Sequence, residues 1–325
     1  MLINEGAVVL NLLSIALMAL LVATGLMAVI SPFTYHLTTV LSAHAQKHAL
    51  WLFVATPWAV SIICVLIFAP SILPVANPLW LDRLAHWHHA SVFYLDSWHG
   101  ASLLLFILGA AYVLTKKSVN AVRHLNTMNT LTQVSQGATQ HWRVGRDIVV
   151  LESQIPSAFT AGLSHAKCYV TTGLIEQVSE TELDIIIAHE RAHIRHKDTQ
   201  KKLMFALLAS LYPRPLARRL NQLFSITSEL LADARVSRSY CNFDIAETLV
   251  SAARIQRCFV GNANLTLVNH FIGDDVECRV RALVDPQKLH PFPWNYCLLI
   301  MVLTTILSSI GVNSLHHLIE AFFSH

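Results

Sequence analysis

The chain has 325 residues, 54% of them hydrophobic and only 13% charged, with a formal net charge of +3. Charged residues make up about a quarter of an ordinary soluble domain, so a single water-soluble globule is excluded. The small positive charge gives no reason to invoke direct binding to nucleic acid.

The apolar residues are concentrated. Residues 8–30 and 49–73 run for 23 and 25 residues without a charge, and each is long enough to cross a hydrocarbon core of about 30 Å. The first has no basic n-region, is too long for a signal peptide and is followed by a second long apolar segment, so it is expected to be retained. Residues 97–114 form a shorter third span that carries His99, and residues 294–312 form a fourth. The loop between the second and third spans interleaves Trp80, Trp87 and Trp98 with Asp82, His86, His88, His89, Asp96 and His99. It has no metal-ligand spacing and is expected to be an interfacial aromatic belt.

Lys47, Lys116, Lys117, Arg123, Arg279, Arg281 and Lys288 fall on one side of this arrangement and only Arg83 on the other. Basic residues are retained on the cytoplasmic side. The expected organisation is therefore three spans in residues 1–115, a cytoplasmic domain in residues 116–293, and a closing span with a short outer tail in residues 294–325. Both termini then face outward from the inner membrane, with the lipid bilayer as partner. Cys64, Cys168, Cys241, Cys258, Cys278 and Cys297 contain no CxxC pair, which points to reduced thiols rather than disulfides or a cysteine zinc site.

The expected fold class is α+β: a polytopic helical membrane protein with a cytoplasmic domain containing a small sheet. The domain opens on a polar helix at residues 118–136, followed by strand character at 142–151 around Val144, Ile148, Val149 and Val150. Residues 155–163 and 168–172 read as a hairpin in which Gly162 marks a bend. Ser179 and Glu182 have the capping-box spacing for a helix that runs to about Lys197. Asp198 is placed to cap the next helix through Tyr212, and Pro213 and Pro215 break the chain before another at residues 216–240.

Inside the capped helix lies Ala188-His189-Glu190-Arg191-Ala192-His193. Residues four apart on a helix lie about 40° apart in azimuth and about 6 Å along the axis, so His189 and His193 can converge on one tetrahedral zinc ion. Glu190 is rotated about 100° off that line and is placed to act on water rather than on the metal. Zinc lowers the pKa of bound water to about 7, and Glu190 can take that proton as general base and return it to the leaving amine. Random placement of the histidines and glutamates gives roughly 0.03 such matches in a chain of this composition, so accident is a weak explanation. His196 lies about 10.5 Å from His189 along the helix and is too far to share the ion.

A catalytic zinc needs a third protein ligand and one open position. The helix at 216–240 supplies Glu229, with Asp233 one turn further on the same face to accept a hydrogen bond from a ligand imidazole. One zinc ion per chain is expected. Arg235, Tyr240 and His270 are all candidates for stabilising an oxyanion, and none is singled out. Lys201, Lys202, Arg214, Arg218 and Arg219 bracket the apolar run 203–211, which fits either an anionic membrane surface or a solvated basic face.

HExxH with a following Asp198, ExxxD downstream, three spans before the domain and one after it resemble the BlaR/MecR-type membrane metallopeptidases, which are gluzincins. The similarity extends to residues 156–163 and to Tyr169-Val170-Thr171-Thr172-Gly173-Leu174. It implies a zinc endopeptidase that cleaves a protein substrate at the cytoplasmic membrane face, such as a transcriptional repressor or itself. It also implies that the edge strand Ala158, Phe159, Thr160, Ala161 and Gly162 binds substrate in extended form. The antibiotic sensors of that group carry a penicillin-binding domain after the last span; here only residues 313–325 follow, so antibiotic sensing by that route is not expected. Two alternatives stand beside this reading: a quality-control protease of the HtpX type, and a non-catalytic zinc-bound receptor or scaffold. Homo-oligomerisation is compatible with all three.

Overall fold

The computed structural model describes residues 2–3, 5–72, 92–94, 97–135, 148–162, 166–260, 266–285 and 290–323. These form two compact units: Met1–Lys116, Leu207–Leu220 and Pro291–His325 in the first, Lys117–Ala206 and Asn221–His290 in the second.

The first unit contains α1 (Glu5–Thr39), α2 (Ala43–Ile72), the start of α3 (Trp98–Ser135) and a C-terminal helix, Trp294–Phe323. Short strands β1 (Leu2–Ile3) and β2 (Val92–Phe93) pair antiparallel beside α1. Four stretches, Glu5–Pro32, Ala43–Ala69, Trp98–Lys116 and Trp294–Leu318, are long and apolar enough to cross a membrane. They contain or overlap the four spans expected from the sequence. Small residues let the helices close up: Ala19 and Ala23 are buried against Val60, Cys64 and Phe68. Two hydroxyls inside the spans donate to backbone carbonyls, Thr24 to Leu20 and Ser61 to Ala16 of the neighbouring helix, as a low-dielectric surround favours. Leu21, Ile62, Leu66, Leu105 and Leu298 stay exposed and form the surface that lipid would cover. Of the aromatic loop expected from Trp80 to His99, Trp98 and His99 instead begin α3, and residues 80–91 and 95–96 lie outside the described residues.

The polar helix expected to start at residue 118 is not separate. It continues α3 without a break, because Lys116-Lys117-Ser118-Val119 contains neither glycine nor proline to interrupt the hydrogen-bond ladder.

In the second unit β3 (Ile148–Leu151), β4 (Ala158–Ala161) and β5 (Lys167–Thr171) form a sheet in the order β3-β5-β4. The expected hairpin is present, with Phe159 opposite Tyr169 in an antiparallel register, while β3 runs parallel to β5. Residues 142–147, expected to extend the first strand, lie outside the described residues. Gly162 leaves β4 at φ 116°, a conformation that a side chain would oppose. The turn α4 (Thr172–Ile175) follows β5, and a Cβ on Gly173 would sit 2.3 Å from the carbonyl oxygen of Gln154.

Helix α5 (Glu180–Arg195) begins in a complete capping box between Ser179 and Glu182. It ends two residues earlier than expected, where Lys197 takes the left-handed φ of 53° and turns the chain into α6 (Asp198–Ala209). Helices α7 (Arg214–Val236), α8 (Asn242–Val260) and α9 (Thr266–Val284) complete the unit, and the C-terminal helix becomes α10. Two stripes on α5 define its place. Leu183, Ile186, Ile187 and Ile194 pack on Cys168 and Val170 of the sheet, whereas Ile185 packs with Val236, Ile245 and Leu283 of α7, α8 and α9.

Candidate metal centre

The two stripes of α5 determine where its motif points. His189 and His193 continue the stripe of Ile185 at intervals of four and therefore face α7, while Glu190 shares the stripe of Ile186 and Ile194 and faces the sheet.

His189 Nε2 and His193 Nε2 lie 3.1 Å apart, and Glu229 Oε2 on α7 lies 3.1 Å from the first and 3.3 Å from the second. Donor atoms about 2.0–2.1 Å from a tetrahedral zinc stand about 3.3 Å from one another, so the three atoms already have the spacing of a zinc site. They are also the one group of metal-ligand type found among the described residues. Two imidazoles and a carboxylate suit zinc in chemistry as well as in geometry.

Each imidazole is held at its other nitrogen by a buried carboxylate. His189 Nδ1 lies 2.9 Å from Asp233 Oδ1, and His193 Nδ1 lies 3.0 Å from Asp198 Oδ2. This leaves both Nε2 atoms as the metal-facing ones. Asp233 is the partner expected for a ligand imidazole; Asp198 is not. It was expected to serve only as a helix cap, but the left-handed turn at Lys197 folds it back onto His193.

Glu190 Oε2 accepts a hydrogen bond of 2.7 Å from Thr160 Oγ1 of β4. The expected edge-strand residues Ala158, Phe159, Thr160 and Ala161 make up β4, and Gly162 follows. Because the sheet order ends on β4, its outer edge has no strand partner among the described residues.

Two cations complete the site. Lys202 Nζ of α6 donates to Glu229 Oε1 at 3.2 Å, so the ligand carboxylate offers its other oxygen alone. Arg279 of α9 donates from Nε to Asp233 Oδ2 at 2.7 Å and from Nη2 to Asp233 Oδ1 at 2.8 Å. Its Nη1 stands 3.7 Å from Glu229 Oε2. The carboxylates Glu190, Asp198, Glu229 and Asp233 exceed the cations Lys202 and Arg279 by two negative charges, which one divalent ion would balance.

The electrostatics follow from this crowding. Burial opposes charge on His189, but hydrogen bonds to Asp233 and Glu229 outweigh it and raise its pKa. Burial likewise opposes charge on His193, and Asp198 with Glu229 lifts it to about 9. Burial pushes Glu229 up, yet the two imidazoles hold its carboxyl well below the usual range. Asp233 is also depressed against its own burial, chiefly by Arg279.

His196 caps the C-terminus of α5 and is not among the three converging donors. Of the three oxyanion candidates, Tyr240 packs in the apolar cluster around Ile185 and Val236. Arg235 feels the charge of Asp198 but is not among the partners of the metal donors, and the side chain of His270 lies outside the described residues. Of the two cations beside the three converging donors, Lys202 and Arg279, the sequence marked the second only as a flanking charge.

Residues 127–223 match the model of Peptidase family M48. That region contains the HExxH helix and ends before Glu229, so the third donor, Asp233 and Arg279 are supplied by the fold rather than by the match. The chain is 29% identical over 130 residues to the Protease HtpX homolog of Levilactobacillus brevis, covering 35% of this chain and 43% of the relative. It is 44% identical over 64 residues to the Protease HtpX homolog of Acidiphilium cryptum, covering 19% and 22%. A third Protease HtpX homolog, from Campylobacter concisus, is 38% identical over 64 residues, again 19% and 22%. The chain thus spans less than half the length of these curated relatives.

Proposed function

We infer that this chain is a membrane-embedded zinc endopeptidase that cuts protein substrates at the cytoplasmic face of the inner membrane. The observation that carries the reading is the convergence of His189, His193 and Glu229 beside a carboxylate that is not needed as a ligand. The family match and the HtpX relatives support the same chemistry.

A substrate segment would add to the free edge of β4 through backbone hydrogen bonds, in the manner of an extra strand. That would carry its scissile carbonyl past Thr160 toward the three donors. When bound, zinc would polarise that carbonyl and acidify water. Glu190 accepts the proton of the attacking water as the new C–O bond forms, and returns it to the amide nitrogen as the C–N bond breaks. Thr160, donating to Glu190 Oε2, fixes the carboxylate so that its other oxygen is the one available for the proton.

For the cellular role, similarity to proteins named Protease HtpX homolog supports the quality-control alternative. The resemblance to BlaR/MecR peptidases favours cleavage of a repressor or of the chain itself, and either enzyme can act as a homo-oligomer. A scaffold that holds zinc only for structure would not need Glu190.

Glu190→Gln tests the enzymatic reading: the variant should hold zinc as the wild type does and lose cleavage by roughly 10²–10⁴-fold. Retention of full cleavage would remove Glu190 as the base, and a zinc-loaded wild type that cuts no membrane or repressor protein would favour the scaffold. Proteins that accumulate in a deletion strain but not in its complemented parent distinguish clearance from signalling.

A further inference from the structure

Arg279 is more constrained than a charge in a structural pair needs to be. Nε and Nη2 form a fork on the two oxygens of Asp233, and Asp233 is 3% exposed and held in turn by His189. The guanidinium plane therefore cannot swing. Its third nitrogen, Nη1, has no hydrogen-bond acceptor within 3.5 Å among the described residues, and its nearest anionic neighbour is Glu229 Oε2 at 3.7 Å. Nη2 also lies 3.4 Å from His189 Nε2. The fixed cation thus stands beside two of the three donor atoms with a pair of N–H groups uncommitted, and its side chain is only 14% exposed.

The placement is unfavourable for holding a metal. A unit positive charge next to a divalent ion repels it, and little water is present to screen the pair. A bidentate Arg–Asp pair meant only to orient His189 would do so equally well with Nη1 turned to a carbonyl. The arrangement becomes favourable when negative charge arrives between the cation and the donors, as happens when a peptide carbonyl oxygen takes charge during attack by water.

We propose that Arg279 is a catalytic residue that binds the scissile carbonyl oxygen through Nη1–H as that oxygen becomes anionic. This rests on the metallopeptidase reading above and adds the oxyanion-stabilising group to it. In the step concerned, the carbonyl π pair moves onto oxygen as the water oxygen bonds to carbon and its proton passes to Glu190. Arg279 neither gives nor takes a proton. A donor that strengthens only in the transition state raises the rate without tightening substrate binding. Asp233 is its positioning residue as well as that of His189.

The test uses the full-length protein in detergent, comparing wild type with Arg279→Lys and Arg279→Gln. Zinc content is measured first, then affinity for two probes: N-phosphoryl-Leu-Trp, a tetrahedral anion, and 1,10-phenanthroline, a neutral metal-directed ligand. Cleavage of β-casein supplies kcat and KM. The expected result is full zinc content, unchanged phenanthroline affinity, and phosphoryl-dipeptide affinity reduced roughly 10–100-fold. A kcat reduced roughly 10²–10³-fold with KM within about twofold should accompany it. Arg279→Lys should recover part of the anion affinity through its charge but not all, because lysine cannot hold the fork on Asp233. Equal loss for both probes, or loss of zinc in both variants, would make Arg279 a structural support and overturn the proposal, as would wild-type affinity for the anion in both. If Arg279→Gln does not fold, the Arg279→Lys comparison decides alone. A wild type that binds no zinc sinks the metallopeptidase reading itself, which separates that failure from this one.

Discussion

At the residue scale, His189 and His193, the two proposed ligand imidazoles, differ in the carboxylate behind them. Burial opposes charge on His193, but its hydrogen bonds to Asp198 and Glu229 push its pKa up to about 9, against 6.5 for an ordinary imidazole. A raised folded-state pKa stabilises the fold fully below about 6.5, and that contribution is lost as pH rises through about 9. Chelator-treated protein should therefore melt at a lower temperature near pH 9.5 than near pH 6, and Asp198→Asn should remove most of the difference. An unchanged slope in that variant would mean that Asp198 does not hold the imidazole. The ranking of the α7 carboxylates is a separate matter. Glu229 presents a donor atom and Asp233 acts through His189, so Glu229→Ala should lower zinc occupancy more than Asp233→Ala, whose loss is expected at roughly 10–100-fold in affinity. The reverse order by metal analysis would exchange their roles.

Elements explain why these side chains meet. One helix serves both halves of the chemistry because its stripes face different partners, with the histidines toward α7 and Glu190 toward β4. The edge strand is in turn held from behind: Thr171 Oγ1 both donates to Ser157 O and accepts from Ser157 N, and Thr172 does the same with Ser153. Gly173 lets the backbone of residue 154 approach to a distance that no side chain permits, since its added Cβ would lie 2.3 Å from Gln154 O. Gly173→Ala should destabilise by about 1–3 kcal/mol, the usual cost of overpacking, and displace β4 enough to lower activity further than the stability loss explains. A thermal melt and an assay at a temperature where the variant stays folded separate the two effects. The capping box and the hairpin were legible because they are local, each set by residues within about ten positions. The continuity of α3 is not legible from hydropathy, which separates an apolar span at 97–114 from a polar helix at 118–136, whereas the backbone between them holds no glycine or proline to break it.

For the whole molecule, the side of the membrane that carries the proposed metal centre is directly testable. The proposed cytoplasmic placement rests on flanking lysines and arginines. The native thiols offer a direct check, because Cys241, Cys258 and Cys278 are exposed in the second unit while Cys168 is buried. A membrane-impermeant maleimide should leave all three unlabelled in intact cells and label them once the membrane is opened. Labelling without permeabilisation would invert the orientation. The division into units also departs from a simple order along the chain. Leu207–Leu220, which takes in the end of α6 and the start of α7, groups with the spans, where Tyr212 donates to Phe53 O and stacks on its ring.

By itself the amino-acid sequence determined the features that depend on near neighbours. Four apolar stretches are set by length and composition, the convergence of His189 and His193 by helical pitch, and the distinct direction of Glu190 by the same pitch. Glu229 was legible because a zinc site with two histidines requires one more donor, and this carboxylate lies on a separate downstream helix flanked by apolar residues. What the tertiary structure alone decided are the contacts that carry no periodic signal. Asp198 reaches His193 only through the left-handed turn at Lys197, and Thr160 reaches Glu190 only because β4 ends the sheet beside α5. Arg279 arrives 90 positions after His189 on a helix with no motif of its own. The physical reason is the same in each case: a charge is identified by what it faces, and that is settled by packing rather than by spacing.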